Sequence, residues 1–216
     1  MSDTPIDLTI KRAPRQKRAV ETYERILDVA TRLLVEIGVE RISTNLIAAE
    51  ADITVPTLYR YFPNKYAVLM ALGDRLMARQ NVLIAEWLER MRGETAPEAL
   101  MDDIHSLIWG SIEVTRETPG ALAITLSLRA VPALQDVRLG SHRAMSDAIT
   151  DEISRHFPDI PRKEIWDRVR IAIELCYAAI ELALEEPKVD PARIAKETAA
   201  QTKAYWRHLL AQWTKE

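Results

Sequence analysis

Residues 57–65 read TLYRYFPNK. Three aromatic rings, an arginine and a lysine fall within these nine residues. In a core, Arg60 and Lys65 would need partners. On a solvated surface, Tyr59, Tyr61 and Phe62 would be costly to expose. A polyanion backbone suits this mixture: phenolic hydroxyls bond phosphate oxygens, rings pack on sugars, and an ammonium adds a point charge. Catalytic chemistry is not written here. His105, His142, His156 and His208 form no H-E-x-x-H arrangement, and there is no G-x-S-x-G elbow or phosphate-binding glycine loop. The expectation is a protein that is not an enzyme and needs no cofactor or metal.

The elements that must position this stretch read as helices. Ile26, Leu27, Ala30, Leu33, Leu34 and Ile37 recur at helical spacing, with Gly38 as a C′ residue. Ser43 is an N-cap for a short helix carrying Leu46, Ile47 and Ala48, without a capping box. Ala51-Asp52-Ile53 interrupts it, and Asp tolerates a left-handed turn residue less readily than Gly. Thr54 caps the next short helix, and Pro56 sits in its first turn. Leu58 and Phe62, four apart, face inward. Long helix, short helix, tight turn, short helix is a helix-turn-helix, whose second short helix enters the major groove N-terminus first.

The 216 residues are 48% apolar and 28% charged, with few glycines, so the fold class expected is all-α. A net charge of -3 neither announces nor excludes a nucleic-acid partner. Cys176 is the only cysteine, which rules out a disulfide framework. No signal peptide and no stretch near the roughly 20 apolar residues of a membrane helix is apparent, so a cytoplasmic protein is expected. Residues 1–18 read as a disordered basic leader or, through Lys11, Arg12, Arg15, Lys17 and Arg18, as an arm near phosphate.

The stretch IAAEADITVPTLYRYFPNK resembles the TetR family of bacterial transcription regulators, whose usual pattern is I-A-x-x-A-G-V-S-x-x-T-L-Y-x-Y-F-x-x-K. The likeness runs from about Val20 to Gln80, with its motif over 43–62. Asp52 departs from the family's Gly, and Leu46 from a common acidic residue. The resemblance implies a homodimer with two DNA-binding heads and a larger helical domain that senses a small molecule. It implies phosphate contacts for Thr44, Thr57, Tyr59, Tyr61 and Lys65, and base reading for Asn45, Val55 and Pro56. Thr54 joins this DNA-binding set. For Val55 the contact would be apolar, against a thymine methyl. The domains expected are 19–65, the DNA-binding head, and 66–216, for effector and dimerisation.

Beyond the head, a fourth helix starts near Asn64 and carries Leu69, Leu72, Leu76, Leu83, Trp87 and Met91 before Gly93. Prolines bound further segments at about 97–117, 119–130, 132–157, 161–186 and 190–214. IAIELCYAAIELAL, residues 171–184, is apolar nearly all round. With the last helix (Ala195, Thr198, Ala199, Thr202, Tyr205, Trp206, Leu209, Trp213) it suits a four-helix interface between two copies through about 161–214, or else a monomeric core. Glu174, Tyr177 and Glu181 share one stripe, which reads as a hydrated groove, an interface rim or a pocket wall. His105 and Trp109 are a packing or recognition pair. An effector pocket is expected within 80–182, lined by some of Trp87, Met91, His105, Trp109, Leu126, Cys176 and Tyr177. Interdigitated side chains with no void are the other possibility. The functional expectation is a ligand-responsive regulator, a repressor released from double-stranded operator DNA by a small molecule. The alternative is an accessory DNA-binding protein without effector.

Overall fold

The computed structural model describes residue 8, residues 16–92 and residues 99–213. The described residues form helices and no strand. These are α1 (Lys17–Arg41), α2 (Thr44–Glu50), α3 (Val55–Tyr59), α4 (Lys65–Met91), α5 (Ala99–Asp102), α6 (Ile104–Glu117) and α7 (Ala121–Ala130). A 3-10 turn (Pro132–Leu134) leads into α8 (Gln135–His156), followed by α9 (Arg162–Glu185) and α10 (Pro191–Trp213). The proline-bounded segments expected from sequence correspond to α5–α6, α7, the 3-10 turn with α8, α9 and α10. Lys17 and Arg18 belong to α1 and not to a leader, because the helix starts after Gln16. Lys11, Arg12, Arg15 and Gly93 lie outside the described residues.

The chain divides into two compact units, and not at residue 65. Unit 1 runs to Met77 and takes in Pro119–Arg138; unit 2 holds Ala78–Thr118 and the chain from Leu139 onward. Unit 1 is therefore larger than a three-helix motif. The first half of α4 and all of α7 belong to it, because their apolar faces complete its core. Ile26, Leu27, Ala30, Ile47, Leu58, Phe62, Leu72, Leu76, Ile124 and Leu128 are all buried in one cluster.

Local chemistry sets the head's corners. Gly38 breaks α1 at φ 76°, ψ 168°, a conformation that disfavours any Cβ. Ser43 caps α2 by accepting from Leu46 N at 3.2 Å. α2 ends with Ile53 N donating to Ala48 O at 3.0 Å and Asp52 N to Ala49 O at 3.2 Å. That is a Schellman closure, with Asp52 supplying the left-handed residue at φ 50°. α7 enters through Gly120 (φ 70°), where a Cβ would stand 2.6 Å from the Thr31 methyl.

Unit 2 packs the second half of α4 with α5, α6, α8, α9 and α10 around Trp87, Ile108, Ile112, Met145, Ile165, Ile173, Trp206 and Leu209. No helix among the described residues is long and apolar enough to cross a membrane.

Candidate functional site

In unit 1, α2 and α3 present a polar face. Thr54 caps α3, its hydroxyl accepting from Thr57 N at 3.3 Å and sharing a 2.8 Å hydrogen bond with the Thr57 hydroxyl. Asn45, Thr54, Pro56, Tyr59 and Arg60 are exposed, and Thr44, Val55, Thr57 and Tyr61 are half-buried. The Tyr59 hydroxyl lies 3.3 Å from that of Thr44, so α2 and α3 place two hydroxyls side by side. Beneath this face Leu58 and Phe62 are fully buried, and Tyr23 of α1 stacks on Phe62 with ring centroids 5.1 Å apart. Tyr61 meets the edge of the same Tyr23 ring at 6.2 Å. Pro56 has no N–H, and the Thr57 and Leu58 amides donate to Thr54, so the groups this face offers an anion are its side-chain hydroxyls. Arg60 is an exposed cation of this face that the motif reading left out.

Lys65 stands apart from the expected set. Its ammonium donates to the carbonyls of Val39 at 3.0 Å and Ile42 at 3.2 Å. The last carbonyls of a helix lack intrahelical amide partners, and a cation at a helix C-terminus is favourable. Here the lysine closes α1.

In unit 2 a cavity of about 80 Å³ opens among α4, α5, α6, α8, α9 and α10. Trp87, Cys176 and Tyr177, from the expected set, line it together with Ile84, Met101, Ile108, Ser111, Met145, Ile149, Ile173, Thr202 and Trp206, among others. His105 is exposed and Trp109 half-buried at the edge of the core, and neither lines the cavity. Leu126 is 47% exposed and lies on α7 in unit 1, because the chain returns to the head after Pro119. The Met91 side chain lies outside the described residues. Ser111, Met145 and Ile149 were not singled out from sequence, whereas Thr202 and Trp206 were expected at an interface between copies and here face the inside of unit 2. Their only signal is helical periodicity, which looks the same for a filled core and for a cavity wall.

Glu174 and Glu181 do not line the cavity. Glu174 accepts from His142 Nδ1 at 2.8 Å and pairs with Arg170 at 2.6 Å. Burial would raise its carboxyl, but hydrogen bonds and charge from His142 and Arg170 outweigh this and hold it to about 2. His142 is fully buried and stacks on the Tyr177 ring with centroids 3.9 Å apart. The Tyr177 hydroxyl donates to Gln80 Oε1 at 3.2 Å, and Gln80 Nε2 donates to Thr115 Oγ1 at 2.8 Å. Burial pushes the Tyr177 phenol and the Cys176 thiol up, so both stay protonated. Trp87, 2% exposed, keeps its indole N–H buried with no acceptor among the described residues. Such a donor costs about 1–3 kcal/mol.

Residues 26–72 match the family profile described as bacterial regulatory proteins, tetR family. The chain is 31% identical over 112 residues to the nucleoid occlusion factor SlmA of Pasteurella multocida, covering 51% of this chain and 53% of that protein. It is 38% identical over 58 residues to the class D tetracycline repressor protein of Escherichia coli, 27% of each chain. The chain thus spans about half the length, or less, of these curated relatives. Among solved structures it resembles the fatty acid degradation regulator FadR of Bacillus halodurans, with TM-score 0.63 and 18% identity over 88% of this chain and 96% of that one.

Proposed function

We propose a function from the premise that this chain is a DNA-binding member of the TetR family of bacterial regulatory proteins: it is a homodimeric repressor that leaves its operator when a small molecule occupies the unit 2 cavity. The observation that carries the effector half is the cavity itself, an apolar void with a few polar groups inside a helical unit. The DNA half rests on the exposed face of Asn45, Thr54, Pro56, Tyr59 and Arg60 on α2 and α3. Asn45, Val55 and Pro56 read bases; Thr44, Thr57, Tyr59 and Tyr61 hold phosphates.

Dimerisation is supported by α9. Ile171 (57% exposed), Leu175 (65%) and Leu182 (43%), with exposed Ala178, follow a 4-3-4 spacing, the seam of paired helices. Large apolar side chains exposed in such a row mark an interface. Two heads on one dimer then meet successive major grooves, and the effector favours a conformation that spaces them wrongly. Helix α4 runs on from the head's core into the cavity wall, so it is the element that carries the change.

The test is to select a binding sequence from random duplexes, then titrate it with protein by fluorescence anisotropy, with and without small molecules that quench tryptophan fluorescence. Binding with no sequence preference would defeat the operator reading. A second reading, an accessory DNA-binding protein without effector, draws on the likeness to the nucleoid occlusion factor, which extends over 112 residues. It is favoured if no small molecule changes DNA affinity.

A further inference from the structure

We infer that the molecule taken by the unit 2 cavity is uncharged and largely apolar, and that it carries a hydrogen-bond acceptor met by the indole N–H of Trp87. This rests on the reading of the cavity as a ligand site. No charged side chain lines the cavity among the described residues. A carboxylate or ammonium guest would therefore be buried without a counter-charge, which is far more costly than leaving it in water. The nearby carboxylate, Glu174, is engaged with His142 and Arg170 and does not line the cavity.

The hydroxyl protons of the wall are already committed. Ser111 donates to Leu107 O at 2.8 Å, Thr202 to Thr198 O at 2.8 Å, and Tyr177 to Gln80 at 3.2 Å. The Trp87 indole N–H is the strong donor of the wall residues left without an acceptor among the described residues; its nitrogen exposes less than 1 Å² of surface, so a guest reaches it as the methionine-bearing wall yields. A carbonyl, ether or hydroxyl oxygen on the guest would satisfy it. A pure hydrocarbon would fill the space and leave it orphaned. Specificity of this kind is sharp, because a site built to hydrogen-bond rejects an analogue that lacks the partner.

Size points to a small guest or an adaptable wall. The cavity, at about 80 Å³, is smaller than the ~150 Å³ apolar cavity that accepts benzene. Met101 and Met145 line it, and unbranched thioethers move aside readily.

Four matched probes test this on the full chain by calorimetric titration: acetophenone, ethylbenzene, benzoate and benzylamine. Acetophenone should bind several-fold more tightly than ethylbenzene, and benzoate and benzylammonium at least about ten-fold more weakly than acetophenone. In the wild-type chain one indole N–H proton resonance should move downfield as acetophenone saturates. Trp87→Phe should erase the advantage of acetophenone over ethylbenzene while ethylbenzene still binds. Charged probes that bind as well as the ketone would overturn the inference. So would a ketone advantage that survives Trp87→Phe. If that variant does not fold, unmoved indole resonances at saturation in the wild type overturn it equally. Binding by none of the four, nor by acetone as a smaller ketone, overturns both this inference and the effector half of the proposed function. Binding by the charged probes alone overturns only the ligand class.

Discussion

The Tyr177 hydroxyl on α9 donates to the Gln80 side chain on α4 at 3.2 Å, across the core of unit 2. Gln80 is 3% exposed, and its amide N–H donates onward to Thr115, whose own proton goes to Ser111 O at 2.6 Å. Tyr177 also lines the cavity, so one side chain belongs to both the void and a closed polar chain that ends on α6. Gln80 stands three residues beyond Met77, the last α4 residue of the head unit.

Tyr177→Phe should therefore destabilise the protein by about 1–2 kcal/mol, because a buried amide oxygen loses its donor. Urea unfolding measures this through the midpoint at unchanged slope. The same variant should bind operator like the wild type without ligand and respond less to an effector. A loss under about 0.3 kcal/mol would mean that water replaces the phenol and that the bond is incidental.

Lys65→Ala should lower stability by about 1–2 kcal/mol, since carbonyls near the end of α1 lose their cation. The salt slope of DNA binding should stay within about half a unit of wild type, because the ammonium is already occupied. Arg60→Ala, which removes an exposed cation of the α3 face, should instead reduce that slope by roughly one unit. The reverse pattern would return Lys65 to the phosphate contacts that the motif implies.

The contrast between these two residues shows where the sequence was legible. Helix spans followed from local signals: Ser43 and Thr54 as caps, Asp52 and Gly38 as left-handed or broken ends, prolines between segments. The role of Lys65 depends on carbonyls 23 and 26 residues away, which no local pattern reveals. The same applies to the cavity. Trp87, Cys176 and Tyr177 line it while Leu126 does not, because α7 folds back into the head. Periodicity finds an apolar face but not which neighbour, or which void, that face meets.

Ala178→Arg should convert a dimer into a monomer by light scattering and abolish operator binding at nanomolar protein. Ala178 is exposed between Leu175 and Leu182, so the arginine leaves the protomer's own core intact. Ala179, half-buried against that core, is a poorer site for the test. A monomeric variant that still binds at wild-type affinity would refute the dimer proposal.

Acid should weaken unit 2 through Glu174. Its folded carboxyl sits at about 2 against an ordinary 4.5, so the contribution is complete above about pH 4.5 and is lost as pH falls toward 2. The carboxylate is 36% exposed, and screening by water keeps the contribution modest. Stability of Glu174→Gln, followed from pH 6 to pH 2.5, should fall less steeply than that of the wild type. Parallel curves would show that His142 and Arg170 do not favour the charged form.

Asp52 offers the last test, at the turn that aims α3. Its φ of 50° is the single positive value at a non-glycine among the described residues. Left-handed backbone costs an L-residue about 1–2 kcal/mol, less for Asp, whose short side chain bonds locally. Glycine removes that strain but adds freedom to the unfolded chain worth about 0.4–1 kcal/mol. The side chain is exposed, so no packing is lost. Asp52→Gly should thus be neutral or stabilising by up to about 0.5 kcal/mol, whereas Asp52→Ala should cost about 1 kcal/mol, because alanine takes the strain without a polar side chain. Thermal unfolding of the pair decides it. If glycine proves clearly destabilising, the Asp52 carboxylate holds the turn itself, and the Schellman closure at Ala48 and Ala49 is not sufficient to orient the recognition helix.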